Sequence, residues 1–433
     1  MQRGNKTQVH EFRKAQQTTK RVIPVINLDD EDDQKAPPLS SKRKSSELSS
    51  PISRKVLKSS TSTQYSSGSQ FNSSGLSDRT SISKSQASVP TSMDETILKF
   101  YHSTRQTPEV YHQKLSLIDQ IFKCIQPYFA RCGLYLVGSS ITGFETGSSD
   151  VDLSLMLNNG QVPWRTAIQY LGTIKAFLDS KMRGKVRGVT LIRATVPILH
   201  FCDTASDREY DMSLNNDVAV RNSHLLRCYH KYDQRVGPLV VFVKRWAKFH
   251  NINSAKDKTI SSYVFTLMVI HYLQMGVPGL QCCQLYNIHT QCNLILIFMF
   301  HLFKENIQEL DMFLEFPPQK NSGCSTLSVG QLFSGFLRYF AHQYNYKRDV
   351  ASVKHGRIFH INSVKHKRIP FQDYQKSSWD GAQMYIEEPF SLTNAARSVY
   401  DENVFSRIHR VFVRSSRALD QSKDINSVLQ HPF

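Results

Sequence analysis

The stretch LYLVGSSITGFETGSSDVDLSLML, residues 134–157, decides how this chain reads. Its apolar opening, Leu134–Val137, predicts a strand that stops at Gly138, where the backbone can turn closely. Ser139 and Ser140 then offer hydroxyls and backbone N–H groups at the start of a short helix, an arrangement that suits the oxygens of a triphosphate. Asp150 and Asp152 begin the next strand. A spacing of two puts both carboxylates on one face while Val151 and Leu153 turn to the core. Two hard oxygen ligands converging on one point suit Mg²⁺, or Mn²⁺ in its place.

A two-metal site needs a third carboxylate, and the later strand REYDMSLNN supplies Asp211 between Tyr210 and Met212. Two ions roughly 3.5–4 Å apart would activate an attacking 3′ hydroxyl and steady a departing pyrophosphate. Asp150 and Asp152 would bridge both ions, and Asp211 would complete the shell of one. Each piece alone is common: D-x-D also occurs in solvated turns and sugar transferases. The specificity lies in the order of strand, Gly-Ser turn, D-x-D strand and later Asp strand.

Outward from this stretch the chain changes character twice. Between Ser41 and Ser92, 24 of 52 residues are Ser or Thr, and large apolar side chains are few. Such a segment does not offset its ordering entropy, so residues 1–92 are expected to form a disordered tail. The tail carries 15 Lys+Arg against 8 Asp+Glu. Its basic clusters, Lys42–Lys44 and Arg54–Lys58, suit a nuclear import signal, an RNA-contacting arm or a merely solvated surface. From Met93 apolar residues recur at helical spacing to about 128. The apolar runs Leu134–Val137, Val151–Leu157, Val189–Phe201 and Tyr210–Leu214 predict strands of one sheet, with a helix over Trp164–Met182. Beyond Pro238 the period is helical, over Leu239–His250, Ser262–Leu273 and Val329–Tyr344.

Four further stretches complete a resemblance: LNNDVAVRNSHLLRCY (214–229), RVGPLVVFVKRWAKFHNIN (235–253), TISSYVFTLMVIHYLQ (259–274) and IEEPFSLTNAARSVY (386–400). With the three aspartates, the chain resembles the DNA polymerase beta-type nucleotidyltransferase superfamily. Within it, residues 113–285 and 328–416 are similar to the template-independent cytoplasmic poly(A) polymerases. The resemblance implies an α/β nucleotidyltransferase catalytic domain over 113–237. It also implies a mostly helical poly(A)-polymerase-associated domain over 238–433, with a helix over 93–112 packing on the latter and a cleft between the two.

By the same resemblance, Gly138 and Ser139 meet the triphosphate, and Lys244 and Lys248, four apart on one helix face, reach it. Asn216, Asn222 and Ser223 stand near sugar and base, and Ser262 and Tyr263 meet phosphate and base. Without the other motifs, Lys244 and Lys248 would read as a solvated basic face and Tyr263 as a core aromatic. Uridylate-adding relatives carry a His soon after the motif matched here by Glu387–Phe390. This chain has Thr393-Asn394 there and no His between His366 and His409, which leans towards ATP with Asn394 at the base. The expected activity is transfer of AMP from ATP to an RNA 3′ end. A terminal uridylyltransferase and a catalytically silent RNA-bound adaptor are the rivals.

The formal charge of +18 favours a polyanionic partner. No RNP strand or zinc knuckle is present, so RNA affinity is expected to be non-specific and salt-sensitive, with a sequence-specific RNA-binding protein as recruiting partner. The eight cysteines show no C-x-x-C pair, and His289 with Cys292 has no second pair at zinc-finger spacing. A polar N-terminus and an apolar run of only Asn293–Phe303 predict a soluble protein without membrane attachment, cytoplasmic with a nuclear fraction. Residues 286–326 depart from the family pattern, either as a packed helix or as translated intron.

Overall fold

Two helices precede the first strand in the computed structural model, which describes residues 92–129, 132–147, 149–157, 162–277, 326–365 and 376–433. The tail over 1–91 and the departure over 286–325 lie outside the described residues. The Ser92 hydroxyl caps α1 (Met93–Thr104) by accepting from the Glu95 N–H at 3.1 Å. Pro108 opens α2 (Pro108–Ile125), capped by Thr107. Helical spacing over 93–112 thus resolves into two helices broken at 105–107, because the residue before a proline is driven to extended backbone.

Five strands follow: β1 (Cys132–Val137), β2 (Val151–Leu157), β3 (Val186–Ile192), β4 (Ile198–Asp203) and β5 (Glu209–Leu214). They form one sheet in the order β1-β2-β5-β4-β3, with only β2 and β5 parallel. The apolar run 189–201 is therefore not one strand. It turns at 193–197, where Arg193, Ala194, Thr195 and Pro197 interrupt the pattern, and returns as an antiparallel partner. Short α3 (Ser139–Thr142) follows β1, and α4 (Trp164–Lys181) bridges β2 and β3. Leu171, Ile174 and Leu178 of α4 are fully buried, as are Val151 and Leu155 of β2 and Leu199 and Phe201 of β4.

The second lobe is built on α6 (Val236–Phe249), reached from the sheet through α5 (Asp217–Tyr232). Around it pack α1, α7 (Ser262–Met275), α8 (Val329–Arg338) and α9 (Glu402–Ser422). Trp246 is fully buried, edge-on to Phe265, Phe333 and Phe412, and its indole N–H donates to Ser415 Oγ at 2.9 Å. A buried indole contributes most when its one polar atom finds such a partner. The period over 329–344 is not one helix either: α8 ends at Arg338 and Tyr339–Gln343 winds into a wider π turn. This lobe also holds a three-stranded sheet, β6 (Asp349–Ser352), β7 (Arg357–His360) and β8 (Tyr385–Glu387), in the order β7-β6-β8. Strands of three or four residues are too short to register as a period-two pattern.

Candidate active site

Parallel pairing of β2 with β5 sets the chemistry, because the register places Asp152 opposite Asp211 on neighbouring strands. Asp150 stands just before β2, two residues earlier and on the same side. The three carboxylates crowd one another. Burial, Asp211 and Asp150 together push Asp152 up to about 7, although Lys244 opposes them. Asp150 is raised too, by burial and then by Glu209 and Asp211, against Lys248 and His200. Negative groups held together at such a cost are relieved by a divalent cation, so the oxygen donor set fits one. Sequence reading missed His200, whose Nδ1 lies 2.8 Å from Asp211 Oδ1. Its partner became visible only when β4 was found opposite β5, pairing His200 with Asp211.

The Gly138 turn faces this cluster. Gly138 has φ +70°, and a Cβ there would stand 2.2 Å from Asp152 Oδ2, so only glycine fits without displacing the carboxylate. The turn is gripped from several elements. Gly138 N donates to Ser223 Oγ on α5 at 2.7 Å, and Arg227 Nη1 donates to Ile141 O at 2.6 Å. From α2, the fully buried Lys114 pairs with Glu145 and donates to Ser140 Oγ at 3.2 Å. Gln106 Nε2 donates to Ser140 O at 2.8 Å, and Lys244 Nζ to Phe144 O at 3.0 Å. Lys114 had no sequence signal, since a lone lysine on a helix ordinarily faces water.

The other expected nucleotide contacts divide. Lys244 is half-buried beside Asp152 and pushed down to about 8 by burial and Lys248, whereas Lys248 is exposed on the next turn. Ser139 opens α3, and Ser262 Oγ donates to Asn253 Oδ1 at 3.1 Å. The Tyr263 hydroxyl lies 2.7 Å from Asn222 Oδ1 and 3.0 Å from Glu388 Oε1, while Asn222 Nδ2 donates to Glu388 Oε1 at 2.6 Å. This three-residue knot ties α5 to the second lobe. Asn216 is the N-cap of α5 and accepts from Ala219 N at 3.1 Å.

Two of the expected residues are engaged by the fold itself. Ser223 is buried, its hydroxyl accepting from Gly138 N and donating to Ala219 O, so it shapes the turn. Asn394 is fully buried: its Oδ1 accepts from Ile386 N and Ala396 N, and its Nδ2 donates to Met384 O. A loop around two buried glutamates needs its backbone groups satisfied, and Asn394 does that.

Family models match this chain at residues 93–231, as the central palm domain of mitochondrial-like poly(A) RNA polymerase, and at 328–394, as Cid1 family poly A polymerase. Poly(A) RNA polymerase gld-2 homolog A of Drosophila melanogaster is 36% identical over 339 residues, 77% of this chain but 24% of its own length. Poly(A) RNA polymerase GLD2 of Danio rerio is 34% identical over 346 residues, 80% of this chain and 66% of its own. The chain thus spans from about a quarter to two thirds of the length of these relatives. In the structure of the GLD-2/RNP-8 complex, the matching chain superposes with a TM-score of 0.63 at 33% identity, over 78% of this chain and 98% of that one. With Asp150 and Asp152 at the start of β2, Asp211 on β5 and a helical lobe matched along with them, the chain belongs to the GLD-2 family of poly(A) RNA polymerases.

Proposed function

We propose that this protein is a polynucleotide adenylyltransferase that extends RNA 3′ ends with AMP from ATP, using Mg²⁺. The observation that carries the reading is the convergence of Asp150, Asp152 and Asp211 in front of the Gly138 turn. Asp150 and Asp152 are the residues that would hold both ions, and Asp211 one of them. The ions would supply a lowered pKa for the attacking hydroxyl and charge neutralisation for the departing pyrophosphate.

The chain's own groups do the rest. His200 Nδ1, 2.8 Å from Asp211 Oδ1, steadies that carboxylate in the way a histidine and a carboxylate support each other behind a metal site. Backbone N–H groups of the Ser139–Thr142 turn and the ammonium groups of Lys244 and Lys248 favour the phosphate chain. Tyr263 presents its ring as a stacking surface while Asn222 and Glu388 hold the hydroxyl. Extension is a positioning problem for groups already charged, and rigid support behind each one is what accelerates it.

Transcript choice is proposed to come from a sequence-specific RNA-binding protein. The family resemblance supports this, as does the complex of GLD-2 with RNP-8 among the similar structures. Purified chain with Mg²⁺, a labelled oligoadenylate primer and each nucleoside triphosphate in turn tests the activity, beside an Asp150→Ala/Asp152→Ala control. Extension with ATP, lost in the control, is expected. Extension mainly with UTP would make it a uridylyltransferase. None with any nucleotide, with or without an RNA-binding partner, would make it a silent adaptor.

A further inference from the structure

The cleft face of β4 and β5 carries a second set of metal-ligating side chains beside the three aspartates. His200 and Cys202 are two apart on β4, and Glu209 on β5 is the cross-strand partner of Cys202. One ligand atom from each of His200, Cys202 and Glu209 lies within 4.8 Å of the others. Strand alternation explains the grouping: Leu199, Phe201 and Tyr210 turn to the core, so the residues between them share the open side. Arg187 stands opposite Cys202 on β3, and its guanidinium is paired with Asp207.

We propose that His200, Cys202 and Glu209 bind a transition-metal ion of the zinc class, coupled to Asp211 through the His200 imidazole. The donors choose the metal. A thiolate and an imidazole favour Zn²⁺ and its neighbours over Mg²⁺, which prefers oxygen alone. With Nδ1 held by Asp211 at 2.8 Å, Nε2 is the nitrogen left for the ion. A histidine that binds metal through one nitrogen commonly rests the other on a carboxylate, which fixes the tautomer and raises its basicity. Here that carboxylate is the third member of the triad. Three protein ligands leave a coordination position open to water or to a phosphate oxygen of bound RNA. The site therefore goes beyond the nucleotidyl-transfer reading, and its existence is read without any activity measurement.

The test uses full-length protein carrying Asp150→Ala/Asp152→Ala, so that the aspartate pair cannot hold the probe ion. Co²⁺ is added under a non-thiol reductant, and the near-ultraviolet thiolate-to-cobalt band is followed, then displaced with Zn²⁺. One equivalent of Co²⁺ with a thiolate band that Zn²⁺ abolishes is expected. Cys202→Ser removes the band, and Glu209→Gln, on an exposed side chain, weakens binding without touching the core. Adding Asp211→Asn weakens Co²⁺ about 10–100-fold, the usual cost of losing a carboxylate behind a ligating histidine. Absence of the band overturns the proposal, as does a band that persists in Cys202→Ser. An affinity unchanged by Asp211→Asn overturns the coupling to the triad.

Discussion

At the residue scale, Asp152 is the group whose chemistry changes most between the unfolded and folded chain. Its ordinary value of 3.8 rises to about 7 through burial and the charges of Asp211 and Asp150. The folded chain then holds a proton on Asp152 between those values, so without divalent cation this group's contribution to stability falls as pH rises from about 4 to about 7, while buried His230 and His271, pushed down to about 4, contribute the opposite trend. Thermal melts of the metal-free protein across that window should show the wild type losing ground to Asp152→Asn as pH rises. Mg²⁺ should reverse it, because the cation binds only the ionised form. A difference between the two melting temperatures that did not change with pH would contradict the arrangement. Gly138 is the second sensitive residue. Gly138→Ala adds a Cβ against Asp152 in a backbone region that alanine tolerates poorly, and is expected to cost about 1–3 kcal/mol in urea unfolding together with most of the primer extension.

At the element scale, the Gly138–Gly143 turn is held by helices rather than by its own four-residue helix, and Lys114 of α2 is the deepest of these holds. Its ammonium is fully buried with Glu145, in a pair that helps stability only while both members are present. Lys114→Met leaves Glu145 buried and uncompensated, so unfolding stability should drop by about 3–5 kcal/mol. Lys114→Met with Glu145→Gln should recover much of that loss but not the turn geometry, since Ser140 Oγ still lacks its donor. The expected signature is a near-wild-type urea midpoint with a raised KM for ATP. Full kinetic recovery in the double variant would mean that Lys114 serves stability alone. The knot of Asn222, Tyr263 and Glu388 works in the same way between α5, α7 and the loop after β8.

At the scale of the whole molecule, charge decides how the proposed RNA substrate would be met. Residues 1–92 carry +7 of the +18, leaving +11 on the remainder. Binding to oligoadenylate should weaken linearly on a log–log plot against salt, with a slope of roughly −0.7 per phosphate neutralised. Deleting residues 1–92 should make that slope shallower in a fluorescence-anisotropy titration. An unchanged slope would assign all RNA contact to residues 93–433. No helix among the described residues is long and apolar enough to cross a membrane.

The sequence by itself determined that Asp150 and Asp152 share one side of a strand, that Asp211 lies on a later strand, and that the sheet precedes the helices, because strand alternation, a glycine-serine turn and helical period are local properties. Asp150 and Asp152 share a face whatever surrounds them, and Trp246 on an apolar helix is core in any packing. Only the tertiary structure decided which side chains are left over to meet a ligand. Ser223 and Asn394 carry the same groups that would suit a nucleotide, but the fold spends those groups on Gly138 and on the loop after β8. His200, Lys114 and Glu388 gain their roles from partners 11, 31 and 166 residues away in the chain. The division of the run 189–201 into β3 and β4 likewise rests on pairing, because apolar content does not record where a strand turns back. Hydrogen-bond supply is settled by distant neighbours, and a local pattern does not contain them.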